Sequence, residues 1–467
     1  MARLDYAEGH VVEGFRLVRL LHKGGMGSLW EVEREPPSSV TETRLAMKIP
    51  SLAEGEDVSA IVGFEVEQLI LPRLTGPHVP RFYATGDFSR LPFLVMELVE
   101  GRGLVADVGA APLPFAAVIE TGARIARALQ DLHRQKVLHL DLKPANVMIR
   151  TDGTAVLLDF GLSRHDEIPD LLAEESDVPM GTGAFIAPEQ IVGDRNDPRS
   201  DIFALGVMLY QFITGQLPFG SPHGRSGMLK RLWRDPVPPR RLAPDCPPWL
   251  QEIIMRCLEI DPDQRYATPA QVAFALQHPD QVTVTERGLR MRQDGFGVTV
   301  RRWLRSRHVQ KRLRPAVSEH MTAAPIVMAA VDLAHGVDPL AETLRVHARR
   351  ALEANPDARL ACVTVLKTAI LAVENQSADG GNTYVQRLVE LKDWARPIAN
   401  GDERVSYHVL EAVDPADALV EYARHNHVDH IVLGARASSA LRRYLGSVSA
   451  QVVAEAPCTV TVVRVSG

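Results

Sequence analysis

Eight consecutive residues, His139-Leu140-Asp141-Leu142-Lys143-Pro144-Ala145-Asn146, concentrate reactive chemistry, and Asp159-Phe160-Gly161 follows shortly after. Asp141 and Asn146 share a Pro-containing loop with Lys143 between them. Asp159 follows a strand-like run, Ala155-Val156-Leu157-Leu158, and Gly161 lets the chain turn sharply behind it. An amide oxygen and a carboxylate so placed suit magnesium, which takes hard oxygen ligands. A lysine offsets charge on a phosphate, and the remaining carboxylate is free to accept a proton from a hydroxyl. Together they form the inventory of phosphoryl transfer, where positioning and charge neutralisation carry most of the catalysis.

The elements that must position these groups are legible around them. Residues 11–32 alternate apolar and polar about Lys23-Gly24-Gly25-Met26-Gly27. That pattern predicts two strands joined by a turn whose N–H groups can approach a phosphate, because glycine has no blocking Cβ. Leu45-Ala46-Met47-Lys48-Ile49 follows, a strand-like run with one cation. Phe64 to Leu71 has helical periodicity, ends near Pro72 and offers Glu65 and Glu67. Phe93 to Gly101 reads as a strand ending in glycine, and Ala116 to Leu132 as a helix leading into the loop. Each alone has a bland reading: a hairpin, solvated carboxylates, a buried strand.

Taken in order, from about Val11 to about Pro279, these motifs resemble the eukaryotic-type (Hanks-type) protein kinases, and Lys143 resembles the Ser/Thr branch. The resemblance implies an α+β two-lobed kinase fold over residues 11–279, with an N-lobe at about 11–98 and a C-lobe at about 99–279. It implies ATP and Mg2+ as cofactors, with Mn2+ as a substitute. By the same resemblance Asp141 is the catalytic base, Lys143 stabilises the transferred group, and Asn146 and Asp159 bind magnesium. Lys48 would hold the phosphates and Glu67 would anchor Lys48, with Glu65 on the surface. Lys23, Gly24, Gly25, Gly27 and Ala46 would surround the ATP, Met96 would be the gatekeeper, and backbone groups of Glu97 and Val99 would hold the adenine edge. Gly181 to Glu189 resembles the substrate-docking loop, with Thr182 bridging Asp141 and Lys143. Glu189 would pair with Arg265, and Asp201 would bond back to the catalytic-loop backbone, both structural roles.

Two departures carry information. His22 stands where the family has its first glycine, which implies looser or differently angled phosphate cover. Leu140 stands where the family most often has an Arg that pairs with a phosphate on the activation segment. Without that latch, the kinase is expected to be constitutively competent or gated by another part of the chain. Ser163, Ser176 and Thr182 are the segment hydroxyls that would test this.

The remaining bounds are ordinary. At 467 residues the chain has room for about three domains, and 24% charged with 46% hydrophobic residues suits a folded soluble protein. A net charge of −6 predicts no general affinity for nucleic acid or anionic membrane. Cys246, Cys257, Cys362 and Cys458 lack metal or disulfide spacing and suit a reducing cytoplasm. No apolar run is long enough to span a bilayer, so no transmembrane segment is expected.

Residues 280–321 read as a basic linker, with Arg287, Arg290, Arg292, Arg301, Arg302, Arg305, Arg307, Lys311, Arg312 and Arg314 facing few acids. A docking onto an acidic part of the same protein is favoured over a membrane or nucleic-acid patch, given the acidic whole. From residue 322 to 467 strands alternate with helices, which predicts an α/β, Rossmann-like domain with a parallel sheet. This region resembles a universal stress protein domain through Asp332 after the first strand and the tail GARASSALRRYLGSVSAQVVAEAPCTVTVV. The resemblance implies a second nucleotide site at Asp332, Gly434, Gly446 and Ser447, although Ala437 replaces a glycine and the following gap is one residue shorter. It also implies a homodimer through the edge strand, Cys458 to Val465. His425, His427, Asp429 and His430 cluster in sequence, but they span a helix-to-strand transition and would point apart.

The expectation is a cytoplasmic Ser/Thr protein kinase acting on protein hydroxyls, its own included, fused to a domain that senses nucleotide or stress or dimerises. The alternative is a catalytically silent nucleotide-binding scaffold, favoured by His22 alone. A small-molecule phosphotransferase is disfavoured by the docking loop.

Overall fold

The computed structural model describes residues 6–24, 27–36, 43–52, 58–175, 180–222, 224–293, 301–302, 325–333, 339–368, 382–399, 404–435 and 446–464. Six antiparallel strands open the chain: β1 (Val11–Val12), β2 (Phe15–Gly24), β3 (Gly27–Arg34), β4 (Leu45–Pro50), β5 (Phe82–Gly86) and β6 (Phe93–Glu97). Their order is β1-β2-β3-β4-β6-β5. Phe15 and Leu17 point inward while Arg16 points out, the period of two expected of a half-buried strand. β4 is central and buried along its length except at Lys48, so its one cation faces the site. Helix α1 (Val58–Ile70) crosses this sheet and buries Ile61, Val62, Phe64, Val66 and Ile70.

The second lobe is helical. Helix Phe115–Arg134 buries one face, whereas Arg199–Thr214 is buried nearly all round, as its apolar run Ile202 to Tyr210 demands. It ends at Gly215, whose φ of +68° supplies the left-handed cap. The hairpin of Val147–Ile149 and Ala155–Leu157 follows the catalytic loop and leads directly to Asp159.

The start of the basic linker folds onto this lobe. Arg287 pairs with Glu252 at 3.0 Å and Glu259 at 2.6 Å; Arg290 and Arg302 both reach Asp235, at 3.0 and 2.6 Å. The Gln251 amide donates to the carbonyls of Arg287 and Arg290 at 2.8 Å. Here the positive charge meets acids of the same chain; Arg305, Arg307, Lys311, Arg312 and Arg314 lie outside the described residues.

The C-terminal domain is a five-stranded sheet in the order Val405–Ala412, Arg359–Lys367, Ile326–Ala330, His430–Gly434, Thr459–Val463. All neighbours are parallel, as strand–helix alternation predicts. Helices Pro339–Ala354 and Thr383–Ala399 pack with one apolar cluster of the sheet, and Pro415–His425 and Ser447–Glu455 with the other.

The two folded parts share a core. Tyr384, Val385, Leu388 and Val409 belong to the same buried apolar cluster as Phe64 and Phe88. That cover corrects one expectation: Glu65 is not a surface residue. It is 8% exposed and paired with Lys392, because the C-terminal domain lies against the outer face of α1.

Candidate active site

Lys48 Nζ sits between two carboxylates, 2.5 Å from Glu67 Oε2 and 3.0 Å from Asp159 Oδ1. Burial works against the ammonium, but Glu67 and Asp159 outweigh it and raise its pKa. In return Lys48 is the largest cause holding the Asp159 carboxyl below its ordinary value, with Lys143 and His139 adding to it. Asp159 is therefore an anion on the open side of the site, with a left-handed φ of +62° that aims it inward. Phe160 N donates to Glu67 Oε1 at 3.3 Å, so the helix glutamate also pins the turn behind Asp159.

That closeness depends on a glycine inside α1. A Cβ on Gly63 would sit 3.0 Å from Gly161 O, which accounts for a residue that otherwise weakens a helix.

Asp141 is held from three directions. Lys143 Nζ lies 2.6 Å from Oδ2, Thr182 donates its amide and its hydroxyl to Oδ1 at 2.9 Å each, and Asn146 Nδ2 donates to the Asp141 carbonyl at 2.9 Å. Lys143 Nζ also donates to Thr182 Oγ1 at 2.9 Å. The loop itself hangs on Asp201, whose carboxylate accepts from His139 N at 2.9 Å and Leu140 N at 2.8 Å, with His133 Nε2 2.8 Å away. Burial opposes the Asp201 charge, and these partners together hold its carboxyl below the usual range. Leu140, at φ +60° and 4% exposed, buries its side chain, and its carbonyl accepts from Gln190 Nε2 at 2.9 Å.

The loop Gly181 to Glu189 is fastened by the expected fork. Arg265 reaches Glu189 with two nitrogens at 2.6 and 2.7 Å, Ser200 Oγ adds 2.7 Å, and the guanidinium lies over Phe203 at 5.0 Å. Arg231 is a residue that sequence reasoning misses. It is 1% exposed and donates to Gly183 O at 2.7 Å and to Ile186 O, holding the loop's backbone from below. Its only sequence signal is an arginine inside the mixed run Leu229-Lys230-Arg231-Leu232.

At the end of β6, Ala46 is buried on β4 opposite Met96, and Val99 is 6% exposed. Glu97 N donates to Arg81 O and Leu98 N to Arg44 O, each at 2.8 Å, which fixes the connecting strand from both sides. Arg150, unforeseen, pairs with the Glu97 carboxylate at 3.0 Å through Nη2. In the glycine turn Gly24 pairs with Gly27 across β2 and β3. A Cβ on Gly27, at φ +135°, would meet Ile49 O at 2.2 Å, so only glycine fits there. His22 and Lys23 are exposed, and Gly25 lies outside the described residues.

In the C-terminal domain, Asp332 follows the strand Ile326–Ala330 and Gly434 ends the adjacent parallel strand His430–Gly434, both at the carboxyl end, the usual ligand-facing end of such a sheet. Gly446 caps the nine-residue helix that begins at Ser447. Ala437 and the loop around it lie outside the described residues. The histidine cluster disperses: His425 Nε2 is 3.0 Å from Ala173 O, His430 Nε2 is 2.8 Å from Thr461 Oγ1, and Asp429 accepts from Ile326 N at 2.8 Å.

Comparison with known proteins finds two families along the chain. The family model "Protein kinase domain" matches residues 18–279, and "Universal stress protein family" matches residues 326–464. The chain is 32% identical over 267 residues to the serine/threonine-protein kinase Pkn1 of Myxococcus xanthus, covering 56% of this chain and 38% of that protein. It is 30% identical over 270 residues to the serine/threonine-protein kinase PknB of Mycolicibacterium smegmatis, covering 56% of this chain and 42% of that protein. The crystal structure of the Mycobacterium tuberculosis PknI kinase domain, in a point-mutant form, matches 59% of this chain and 99% of that one, at 24% identity and a TM-score of 0.45. The chain thus spans less than half the length of these two curated relatives.

Proposed function

The chain belongs to the protein kinase family and carries a universal stress protein domain, and from that premise we propose that it is an ATP-dependent Ser/Thr protein kinase. The observation that carries the reading is the coexistence of two pairings: Lys48 with Glu67 at 2.5 Å, and Thr182 with Asp141 at 2.9 Å. In the first, a cation is ready for phosphate oxygens; in the second, a base and the docking loop are locked in register.

Asp141 accepts the proton of a substrate Ser or Thr hydroxyl, and Lys143 neutralises charge that builds on the transferred group. Lys48 orients the phosphates, held by Glu67. Gly24 and Gly27 let the turn lie close above them, and Glu97 and Val99 present backbone groups to the adenine. Asn146 and Asp159 supply an amide oxygen and an ionised carboxylate, a donor set that fits Mg2+ and also Mn2+. A bound divalent ion would neutralise phosphate charge.

The same reading takes the kinase unit as 11–279, with autophosphorylation among its reactions. A second nucleotide is assigned to Asp332, Gly434, Gly446 and Ser447, and pairing of two copies to the segment Cys458 to Val465, which contains the edge strand Thr459–Val463. Free thiols at Cys246, Cys257, Cys362 and Cys458 support a cytoplasmic location. Among the described residues no helix is long and apolar enough to cross a membrane.

The test is transfer from labelled ATP by the purified chain, alone and with a basic protein substrate, beside Asp141→Ala. Label from the wild type and none from the variant is the expected result. ATP binding with no label from either would instead identify a silent scaffold.

A further inference from the structure

Helix Leu171–Glu175, in the activation segment, runs into the C-terminal domain instead of solvent. The Glu174 carboxylate is 7% exposed and meets four side chains of that domain. Arg359 pairs with Oε1, His408 Nε2 lies 2.9 Å from Oε2, Tyr422 OH 3.3 Å and Ser406 Oγ 3.4 Å. The helix backbone is held as well: Asn426 Nδ2 donates to Glu174 O at 3.3 Å, and His425 Nε2 is 3.0 Å from Ala173 O. The neighbouring Glu175 accepts from Tyr384 OH at 3.1 Å and lies 3.7 Å from His408 Nδ1.

A second contact reaches α1. Lys392 pairs with Glu65, with its ammonium 5.1 Å from the Phe88 ring centroid and 5.4 Å from that of Tyr407. Glu65 stands on the same helix as Glu67, the partner of Lys48. The C-terminal domain therefore grips the two elements whose placement decides whether a kinase site is assembled, the activation segment and the glutamate-bearing helix.

Leu140 replaces the arginine that usually holds the segment. Leu140 brings no charge to the catalytic loop. Ser163 is 1% exposed and donates to His139 O at 3.1 Å, and Thr182 is engaged with Asp141. Ser176 lies outside the described residues. What the described segment does present is a carboxylate, buried on an arginine and a histidine.

We propose that Arg359 and His408 are positioning residues for the activation segment: they hold Glu174 as protein cations hold a segment phosphate elsewhere in the family. Lys392 acts with them by holding α1 through Glu65. The C-terminal domain thereby assembles the catalytic site from within the same chain. This rests on the kinase reading above.

The test uses the full-length chain and compares wild type, Arg359→Met, Arg359→Lys and Lys392→Met. It reads kcat, KM for ATP, and amide hydrogen exchange in residues 164–175. Arg359→Met is expected to lower kcat by about 5- to 150-fold, the range of ordinary intersite coupling, with KM for ATP little changed. Exchange in helix Leu171–Glu175 should speed up in parallel, and Arg359→Lys should restore most of the rate. Lys392→Met, on the partly exposed rim, should move kcat the same way, and it keeps the test decisive if Arg359→Met fails to fold. An unchanged or raised kcat in these variants, with an active wild type, overturns the positioning role alone. A wild type that transfers no phosphate overturns the kinase reading itself.

Discussion

Thr182 and Asp141 are joined twice, through the Thr182 amide and its hydroxyl, both 2.9 Å from the same carboxylate oxygen. The hydroxyl also takes a bond from Lys143, so one side chain couples the docking loop to both catalytic-loop charges. Thr182→Val keeps the shape and the amide bond but loses the bridge. A hydrogen bond to a charged group is worth about 1.5–3 kcal/mol, so kcat should fall about 10- to 150-fold, with Thr182→Ser close to wild type. Steady-state kinetics on a Ser-containing substrate decides it; equal rates for Val and Thr would take Thr182 out of the site.

Lys48→Met removes the cation that Glu67 and Asp159 hold. Two carboxylates are then left facing each other without a counter-charge. The expected loss in kcat is about 10²- to 10³-fold, the scale for removing one preorganised electrostatic group. Circular dichroism should remain that of the wild type. Retention of more than half the rate would mean that Lys48 does not meet the phosphates.

The docking of Glu174 should depend on pH. The His408 imidazole is raised to about 9: burial opposes its charge, but Glu174 and Glu175 outweigh burial. Its contribution is complete below its unfolded value and is lost as pH rises through about 9. Burial also opposes the Glu174 charge, yet Arg359 and His408 hold that carboxyl down at about 2, so its contribution is present above the unfolded value and lost as pH falls toward 2. Glu175, raised by burial, acts in the opposite sense and withdraws some stability once ionised. Tyr384 and Tyr422, also facing the cluster, are pushed up by burial and stay neutral across this window. The docked helix should be best protected near pH 5–6.5 and loosen by on the order of 1–3 kcal/mol toward pH 9.5. Hydrogen exchange of Leu171–Glu175 against pH measures it, and His408→Phe should flatten the alkaline slope.

Glu189 and Arg265 form a buried fork at 2.6 and 2.7 Å, with the Arg265 side chain fully buried. Removing either partner strands the other charge, which costs about 3–5 kcal/mol. Arg265→Met should therefore lower the unfolding free energy by that much in urea titration. A change under about 1 kcal/mol would show that water reaches the remaining carboxylate.

The sequence makes the catalytic string legible because its chemistry is local. Asp141, Lys143 and Asn146 share one loop, and Gly161 follows Asp159 closely. The parallel sheet is legible for a similar reason, since each apolar run and each amphipathic run reports its own period. Glu65 is misread from sequence because periodicity describes one helix and says nothing of what covers its outer face. Lys392, Arg359 and His408 carry no local signature that points to a kinase segment. The one hint is a serine and a histidine at alternate, buried positions of the strand Val405–Ala412, Ser406 and His408. Their partner lies in another domain, and no spacing rule links the two.

Arg359 lies 185 residues beyond Glu174, and Tyr422 lies 248 beyond it. A ribosome adds about 5–20 residues per second, so the binding partners of this helix follow it out of the exit tunnel by roughly 10–50 s. During that interval the first lobe pair can fold, but its segment has nothing to dock on. The proposed anchoring therefore makes competence wait for synthesis of the C-terminal domain: a nascent chain that has not yet reached Tyr422 stays unlatched, and synthesis itself acts as the timer.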